Sequence, residues 1–263
     1  MLNIVIPMAG RGSRFVDAGY KDPKPFIDVM GRCMIEHVVE NLTPYEPHRF
    51  IFLARREHEE YIKQHMSFAT NVIYIDEVTD GAACTVLLAK ELINTSEPLL
   101  IANSDQLATW NDKSKVVLAR QEGSVVRWQE SGNVQDMIND ALLRGLDGTI
   151  ATFHATHPKW SYAKVTPTSG YVTEVAEKKA ISNHATVGAY WYRCGTDFIQ
   201  AAEQMIQKDI RTNNEFYVCP IFNEMLQLQK HIGIYPIYSM NGLGTPEDLE
   251  KFEKLCEKNG WSW

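Results

Sequence analysis

The 263-residue sequence contains no CxxC pair, and its five cysteines (Cys33, Cys84, Cys194, Cys219 and Cys256) follow no zinc-ligand spacing. An odd number without a framework argues against a disulfide scaffold and a structural zinc site, leaving reduced packing residues. Long apolar runs are missing too: stretches such as Asn3 to Pro7 and Leu99 to Ala102 fall far short of the roughly 20 residues that span a bilayer. The start lacks the basic n-region and long apolar h-region of a secretory signal, so a soluble, cytoplasmic protein is expected. Basic charge is not in excess. With 33 acidic residues against 26 basic ones the formal charge is −7, so no general field favours nucleic acid or a membrane surface, and any phosphate binding must come from local clusters. Repeats and low-complexity tracts are also absent. What remains is ordinary globular composition, 44% hydrophobic and 22% charged, in a chain long enough to bury about 75% of its unfolded surface in one domain, 1–263.

Short β-branched runs alternate with helix-length segments through the first half, the pattern of βα units that build a mostly parallel sheet. Strands are expected at Leu2 to Pro7, Arg49 to Ala54, Asn71 to Ile75 and Pro98 to Asn103. Apolar residues at i, i+3, i+4 and i+7 mark helices at Cys33 to Leu42 and Ala82 to Ile93. From about Gly148 the texture turns strand-rich: Thr149 to His154, Tyr162 to Val165, Tyr171 to Ala176 and Thr186 to Tyr192, with turn stretches such as PTSG between them. Helices follow at Thr196 to Lys208, Val218 to Gln229 and Pro246 to Glu257, with a strand at Ile232 to Tyr238. The polar stretch Asn111 to Asn133, of weak periodicity, reads as a surface excursion between a first half of about 1–110 and a second of about 147–263.

The strongest chemical signal is Pro7 to Lys24, PMAGRGSRFVDAGYKDPK, where a buried strand opens into a Gly-punctuated loop with basic side chains at its ends. Gly10 and Gly12 let backbone N–H groups approach a ligand, while Arg14 and Lys24 supply positive charge, Arg able to grip phosphate oxygens bidentately. Neither familiar phosphate motif fits: GxxxxGK[ST] is absent, and Phe15 occupies the third Gly position of the dinucleotide fingerprint. A GxG after a strand is by itself as readily a tight turn with solvated basic residues.

The whole pattern, PMAGRGSRF followed by KPFIDVMGRCMIEHVVENL, resembles the start of the nucleoside-triphosphate transferase family of sugar nucleotidyltransferases, or pyrophosphorylases. That family's signature is a GxGxR loop, a KP dipeptide beginning a strand-like stretch, and a P-M-I-type helix start; here Cys33 stands where Pro is common. The resemblance runs along essentially the whole chain and implies an α/β fold, a Rossmann-like mixed, mostly parallel sheet flanked by helices, of the nucleotide-diphosphosugar transferase type. It implies that Arg14 and Lys24 hold the triphosphate and incoming phosphate, and that Met8, Ala9, Gly10 and Gly12 contact the nucleotide. DGAACT resembles the nucleobase and ribose loop, which brings in Asp80 and Gly81; LIANSDQ resembles the strand ending in a metal-binding Asp, which brings in Asn103 and Asp105.

Chemistry agrees on Asp105, because a carboxylate beyond the carboxyl end of a central strand is where open α/β sheets place ligands, and hard oxygen suits Mg²⁺. Glu177 and Lys178 resemble the family's EK pair, Gly188 falls in the strand that closes the acceptor pocket, and Asn214 and Glu215 resemble a segment that contacts the acceptor. By charge alone, Glu177 can accept from acceptor hydroxyls and Lys178 can neutralise an attacking phosphate. His154, His157 and Trp160 read as packing or turn residues. One departure stands out: the family commonly ends in an Asp-x-Gly-Thr turn carrying a second metal ligand, whereas this chain has NGLGT with Gly242 in the Asp position. Asn241, or triphosphate oxygens and water, then have to complete the coordination.

The expected reaction is attack by an acceptor phosphate on the α-phosphorus of a nucleoside triphosphate, with Mg²⁺ and release of pyrophosphate. The resemblance extends to members of capsule or surface-polysaccharide loci, among them cytidylyltransferases acting on non-sugar phosphates such as phosphoglutamine. Asp76, Glu77 and Asp80 lean the base towards CTP over UTP or dTTP, because a carboxylate accepts from the cytosine amino group. The alternatives are a GT-A-type glycosyltransferase, disfavoured because NSDQ stands where a DxD motif is usual, and a non-catalytic nucleotide-binding regulator. No nucleic-acid or membrane partner is expected, and a homodimer is compatible with the sequence.

Overall fold

The computed structural model describes residues 1–111, 118–121, 124–127 and 132–259. In the first half the elements are β1 (Leu2–Pro7), α1 (Ser13–Asp17), β2 (Asp28–Val29), β3 (Arg32–Cys33), α2 (Met34–Leu42), β4 (His48–Arg55), α3 (Glu59–His65), β5 (Val72–Ile75), α4 (Ala82–Leu87), α5 (Lys90–Ile93), β6 (Leu99–Ala102) and β7 (Gln106–Thr109). Then come β8 (Leu118–Gln121), β9 (Ser124–Arg127), α6 (Val134–Leu143), β10 (Gly148–His154), β11 (Tyr162–Val165), β12 (Val172–Ala176) and β13 (His184–Tyr192). The chain closes with α7 (Gly195–Gln207), α8 (Ile221–Gln227), β14 (Ile232–Pro236), β15 (Ser239–Gly242) and α9 (Pro246–Asn259).

Among the described residues nine strands form one mixed sheet in the order β12-β11-β13-β6-β1-β4-β5, with β10 paired to β13 and β14 to β10. The central ladders β6–β1, β1–β4 and β4–β5 are parallel, while β13 runs antiparallel to β6. Strand alternation sends successive residues to opposite faces: Ile4, Ile6, Phe52, Leu100 and Ala102 enter one buried cluster and Val5, Ile51, Leu53, Leu99 and Ile101 the other. The first face is covered by α2 and α6 and by Leu249, Phe252 and Cys256 of α9; the second by α4, α5, α7 and α8. The five cysteines are free, and three of them are buried. Among the described residues no helix is long and apolar enough to cross a membrane.

Two expectations are corrected. The helix over Ala82 to Ile93 is two helices, because Leu88 and Ala89 bond back to Thr85 and Val86, i to i+3, and tighten the chain. The stretch opening with the KP dipeptide starts as a 3₁₀ turn, Lys24–Phe26, whose Pro25 lies in the first turn, where a missing N–H removes no helical bond. Within the expected surface excursion, β8 and β9 pair with each other as an antiparallel ladder and, among the described residues, with no other strand. Residues 112–117, 122–123 and 128–131 of it lie outside the described residues.

Candidate active site

Because β1 and β6 are parallel neighbours, their carboxyl ends open side by side, at a position where open α/β sheets leave a crevice. The Met8–Gly12 loop leaves β1 and enters α1 at Gly12, whose φ of 62° is left-handed and suits glycine. A Cβ there would lie 3.1 Å from Lys24 Cβ, so the loop is folded tightly over Lys24. Phe15, 1% exposed, anchors α1 in the core and meets Tyr20 edge-on at 5.1 Å. Arg14 on α1 and Lys24 thereby share one wall.

The opposite lip is the Asn103–Asp105 turn between β6 and β7. Asn103 N–H donates to the Gly188 carbonyl at 2.9 Å, and Leu243 N–H donates to the Asp105 carbonyl at 2.7 Å, so β13 and the chain after β15 both fasten this turn. The Lys24 ammonium donates to the Asp105 carboxylate in a partly buried ion pair. The resulting cleft has a volume of about 780 Å³, within the usual range for small-molecule sites. Met8, Gly10, Gly12, Arg14, Lys24, Asn103, Asp105, Glu177, Lys178 and Gly188 all line it.

The far end of the cleft is aromatic and hydroxyl-rich. Ser161 Oγ donates to the Glu177 carboxylate; Tyr190 OH and Thr186 Oγ1 are 3.0 Å apart. Lys178, held at φ 53°, donates to Tyr217 OH at 2.6 Å with its ammonium 4.6 Å from that ring's centre. Burial pushes the Glu177 carboxyl above its ordinary range, against the Ser161 hydrogen bond and the Lys178 charge, which pull it down. Burial, then Glu215, pushes the Tyr217 phenol up.

A pH effect on stability follows. Glu177 has a folded pKa above its unfolded value, so the stability it contributes is fully present below the unfolded pKa of roughly 4 and is lost as pH rises through the folded value. Glu177→Gln keeps an oxygen for Ser161 and carries no charge. Its Tm relative to the wild type is therefore expected to climb as pH rises above about 4; a difference that stays flat with pH contradicts the buried-carboxylate account.

Six expected residues, exposed Asn214 among them, do not line the cleft. Ala9 is buried beneath the loop. The Asp80 carboxylate is turned to Arg211, with two contacts at 3.2 Å, and Arg211 lies 4.0 Å over the Phe216 ring. Gly81 is packed against Phe216 backbone, where a Cβ would come within 2.5 Å of the carbonyl oxygen. Glu215 is exposed, and the period of two along β15 turns Asn241 away from the face on which Gly242 meets the cleft. Asp76 is likewise held outside, 2.6 Å from Arg56, and Glu77 is absent from the lining as well, so none of the three carboxylates invoked for cytosine faces the cleft.

Conversely, Trp160, expected to serve packing or a turn, lines the cleft beside Lys159, Ser161, Tyr190, Tyr217 and Asp248. Of these aromatics only Tyr190 lies in a strand, where it reads as core from sequence. Asp248, three residues after Gly-Thr at a helix start, reads as an acid favoured by the helix dipole.

Among the described residues no group of three or more His, Cys, Asp or Glu side chains converges as a metal cluster. Asp105 nevertheless fits a hard divalent cation: its partly buried carboxylate already holds one cation, the Lys24 ammonium, at the mouth of a cleft with room for phosphate oxygens and water.

Comparison with known proteins agrees with this geometry. No curated protein sequence matches significantly. Over 95% of its length the chain superposes on 99% of a nucleoside-diphosphate-sugar pyrophosphorylase from Vibrio cholerae RC9, with a TM-score of 0.73 at 24% identity. An inositol-1-phosphate CTP transferase from T. maritima (TM-score 0.67, 12% identity, 97% of this chain and 95% of that one) and a UDP-glucose pyrophosphorylase from Acinetobacter baumanii (0.69, 18%, 97% and 93%) share the fold. The model of the nucleotidyl transferase family matches residues 4–231. With the Gly loop, its two basic residues and Asp105 gathered at the carboxyl ends of β1 and β6, the chain belongs to the nucleotidyl transferase family and is a nucleotidyltransferase.

Proposed function

We propose that this enzyme joins a pyrimidine nucleoside triphosphate, CTP, UTP or dTTP, to a sugar phosphate or similar small polyol phosphate, releasing pyrophosphate. The observation that carries it is the facing of two charged sets across one cleft: Arg14, Lys24 and Asp105 at one end, Glu177 and Lys178 with the hydroxyls of Ser161, Thr186 and Tyr190 at the other. A triphosphate fits the first set and a hydroxyl-bearing phosphate the second. The pyrimidine follows the names of the relatives that share the fold, one a CTP transferase and one a UDP-glucose pyrophosphorylase.

An acceptor phosphate oxygen attacks the α-phosphorus in line, the bond to the bridging β-oxygen breaks, and pyrophosphate leaves with the electron pair. The phosphate monoester is already a nucleophile, so the protein's task is to hold two repelling anions together and stabilise charge in flight. Backbone N–H groups at Gly10 to Gly12 and the Arg14 guanidinium receive the triphosphate; Lys24 shifts from Asp105 towards its oxygens. Lys178 neutralises the acceptor phosphate while Glu177 accepts from acceptor hydroxyls. Asp105 would hold Mg²⁺, which would supply charge neutralisation at the reacting phosphoryl group.

Pyrophosphate release across the three triphosphates and a panel of glucose 1-phosphate, inositol 1-phosphate and related phosphates tests this. One strongly preferred pair is expected. Silence across the panel, together with binding of a finished nucleotide sugar, would replace it with glycosyl transfer.

A further inference from the structure

Two carboxylates flank the Gly242–Thr245 turn, and Asp105 accounts for one of them. A Cβ at Gly244 would come within 2.9 Å of Asp105 Oδ2, so the turn is pressed onto that side chain. At the start of the turn, a Cβ at Gly242 would lie 3.7 Å from Asp248 Oδ2 and 3.8 Å from the Trp160 ring. Residue 242 has no side chain, and the Asp248 carboxylate reaches that space from the first turn of α9. It lines the cleft with its side chain 21% exposed. Its backbone is fixed by a hydrogen bond from Asp248 N–H to Thr245 Oγ1 at 3.1 Å.

The charges repeat at the two carboxylates. Asp105 carries the Lys24 ammonium, and Asp248 carries that of Lys159 at 3.7 Å, beyond hydrogen-bond length. Lys159 in turn lies 4.4 Å over the Trp160 ring. Partly exposed carboxylates facing a cleft that must admit a polyanion, one closely and one loosely paired with an ammonium, suit a hard divalent cation, which takes one or two carboxylates together with phosphate oxygens and water. The displaced ammoniums then become free for phosphate.

Resting on the nucleotidyl-transfer reading, we infer that Asp248 is the second carboxylate of the divalent-cation site whose first is Asp105, supplied by the helix after the turn instead of by the turn itself.

Titration of the purified chain with Mn²⁺, following the free-ion electron paramagnetic resonance signal, tests this without turnover. The wild type is expected to bind one Mn²⁺, and Asp248→Asn to weaken that binding by at least about tenfold. Adding Gly242→Asp to the Asp248→Asn chain moves the carboxylate onto the turn. The space is open, with neighbours at 3.7 Å and beyond, and affinity is expected to return to within about threefold of the wild type. Thermal unfolding of each variant checks that it is folded. Wild-type affinity in Asp248→Asn, no binding by the wild type, or no recovery in the folded double variant each overturns the inference. The wider reading is judged apart from it: a wild type that binds Mn²⁺ yet releases no pyrophosphate across the panel sinks nucleotidyl transfer with the substrates proposed above, whereas pyrophosphate release with unaltered Mn²⁺ affinity in Asp248→Asn sinks only the role of Asp248.

Discussion

Lys24→Ala is expected to lower pyrophosphate release about a hundredfold, and by no less than about tenfold, equivalent to 1.4 kcal/mol of transition-state stabilisation. Two effects combine at this one side chain. The ammonium is a fixed charge in a partly buried cleft, where an electrostatic contact is worth more than in water. Its removal also leaves the Asp105 carboxylate without its partner, adding a negative charge where a triphosphate must sit. Lys24→Arg separates the two: it keeps the charge on a longer, planar group, restoring the pairing with Asp105 while altering its geometry. Recovery of nucleotide affinity with turnover still low is expected for Arg; wild-type turnover in the Ala variant would remove the phosphate-holding role of Lys24.

Gly81→Ala is expected to be the most damaging single methyl group near the site. Gly81 sits at φ 132°, ψ 172°, a region open essentially to glycine alone, so a side chain there costs about 1–3 kcal/mol before any contact is counted. The contact is severe as well. The new Cβ would meet the Phe216 carbonyl oxygen at 2.5 Å and its nitrogen at 2.6 Å, in the segment where Phe216 N–H donates to the Asp80 carbonyl and Ala83 N–H to the Phe216 carbonyl. Neither backbone can move without breaking those bonds and displacing Tyr217 and Val218 from the cleft wall. A loss of at least about 3 kcal/mol, read as a fall in Tm of at least about 6 °C, is expected. An unchanged Tm would show that the 80s loop is not clamped on the 216 segment.

The order of strands and helices was legible because burial is written as periodicity. Alternate residues of β1 and β4 feed opposite faces of the sheet, and the i, i+3, i+4 stripe of α2 faces one of them. Short elements were less so. Neither α3 nor the β7–β15 ladder announces itself in a chain where a few polar residues between longer elements look like loop. Of the site, Arg14, Lys24 and Asp105 were within reach of a reader because a loop follows each strand end directly, so chain order and spatial order nearly coincide. Asp80 was not, since the side chain that claims it, Arg211, lies 131 positions away.

By itself the sequence determined the βα alternation, the Gly loop with its basic residues and the family to which they belong, because each is encoded within a few neighbouring positions. Tertiary structure decided which charges meet. Only the antiparallel docking of β13 beside β6, the fold-back of the 216 segment onto Gly81 and the packing of α9 behind the Gly242 turn place Glu177, Trp160 and Asp248 around one cleft. Those contacts join residues far apart in the chain, and long-range packing and electrostatics, which leave no periodic mark in the sequence, fix their geometry.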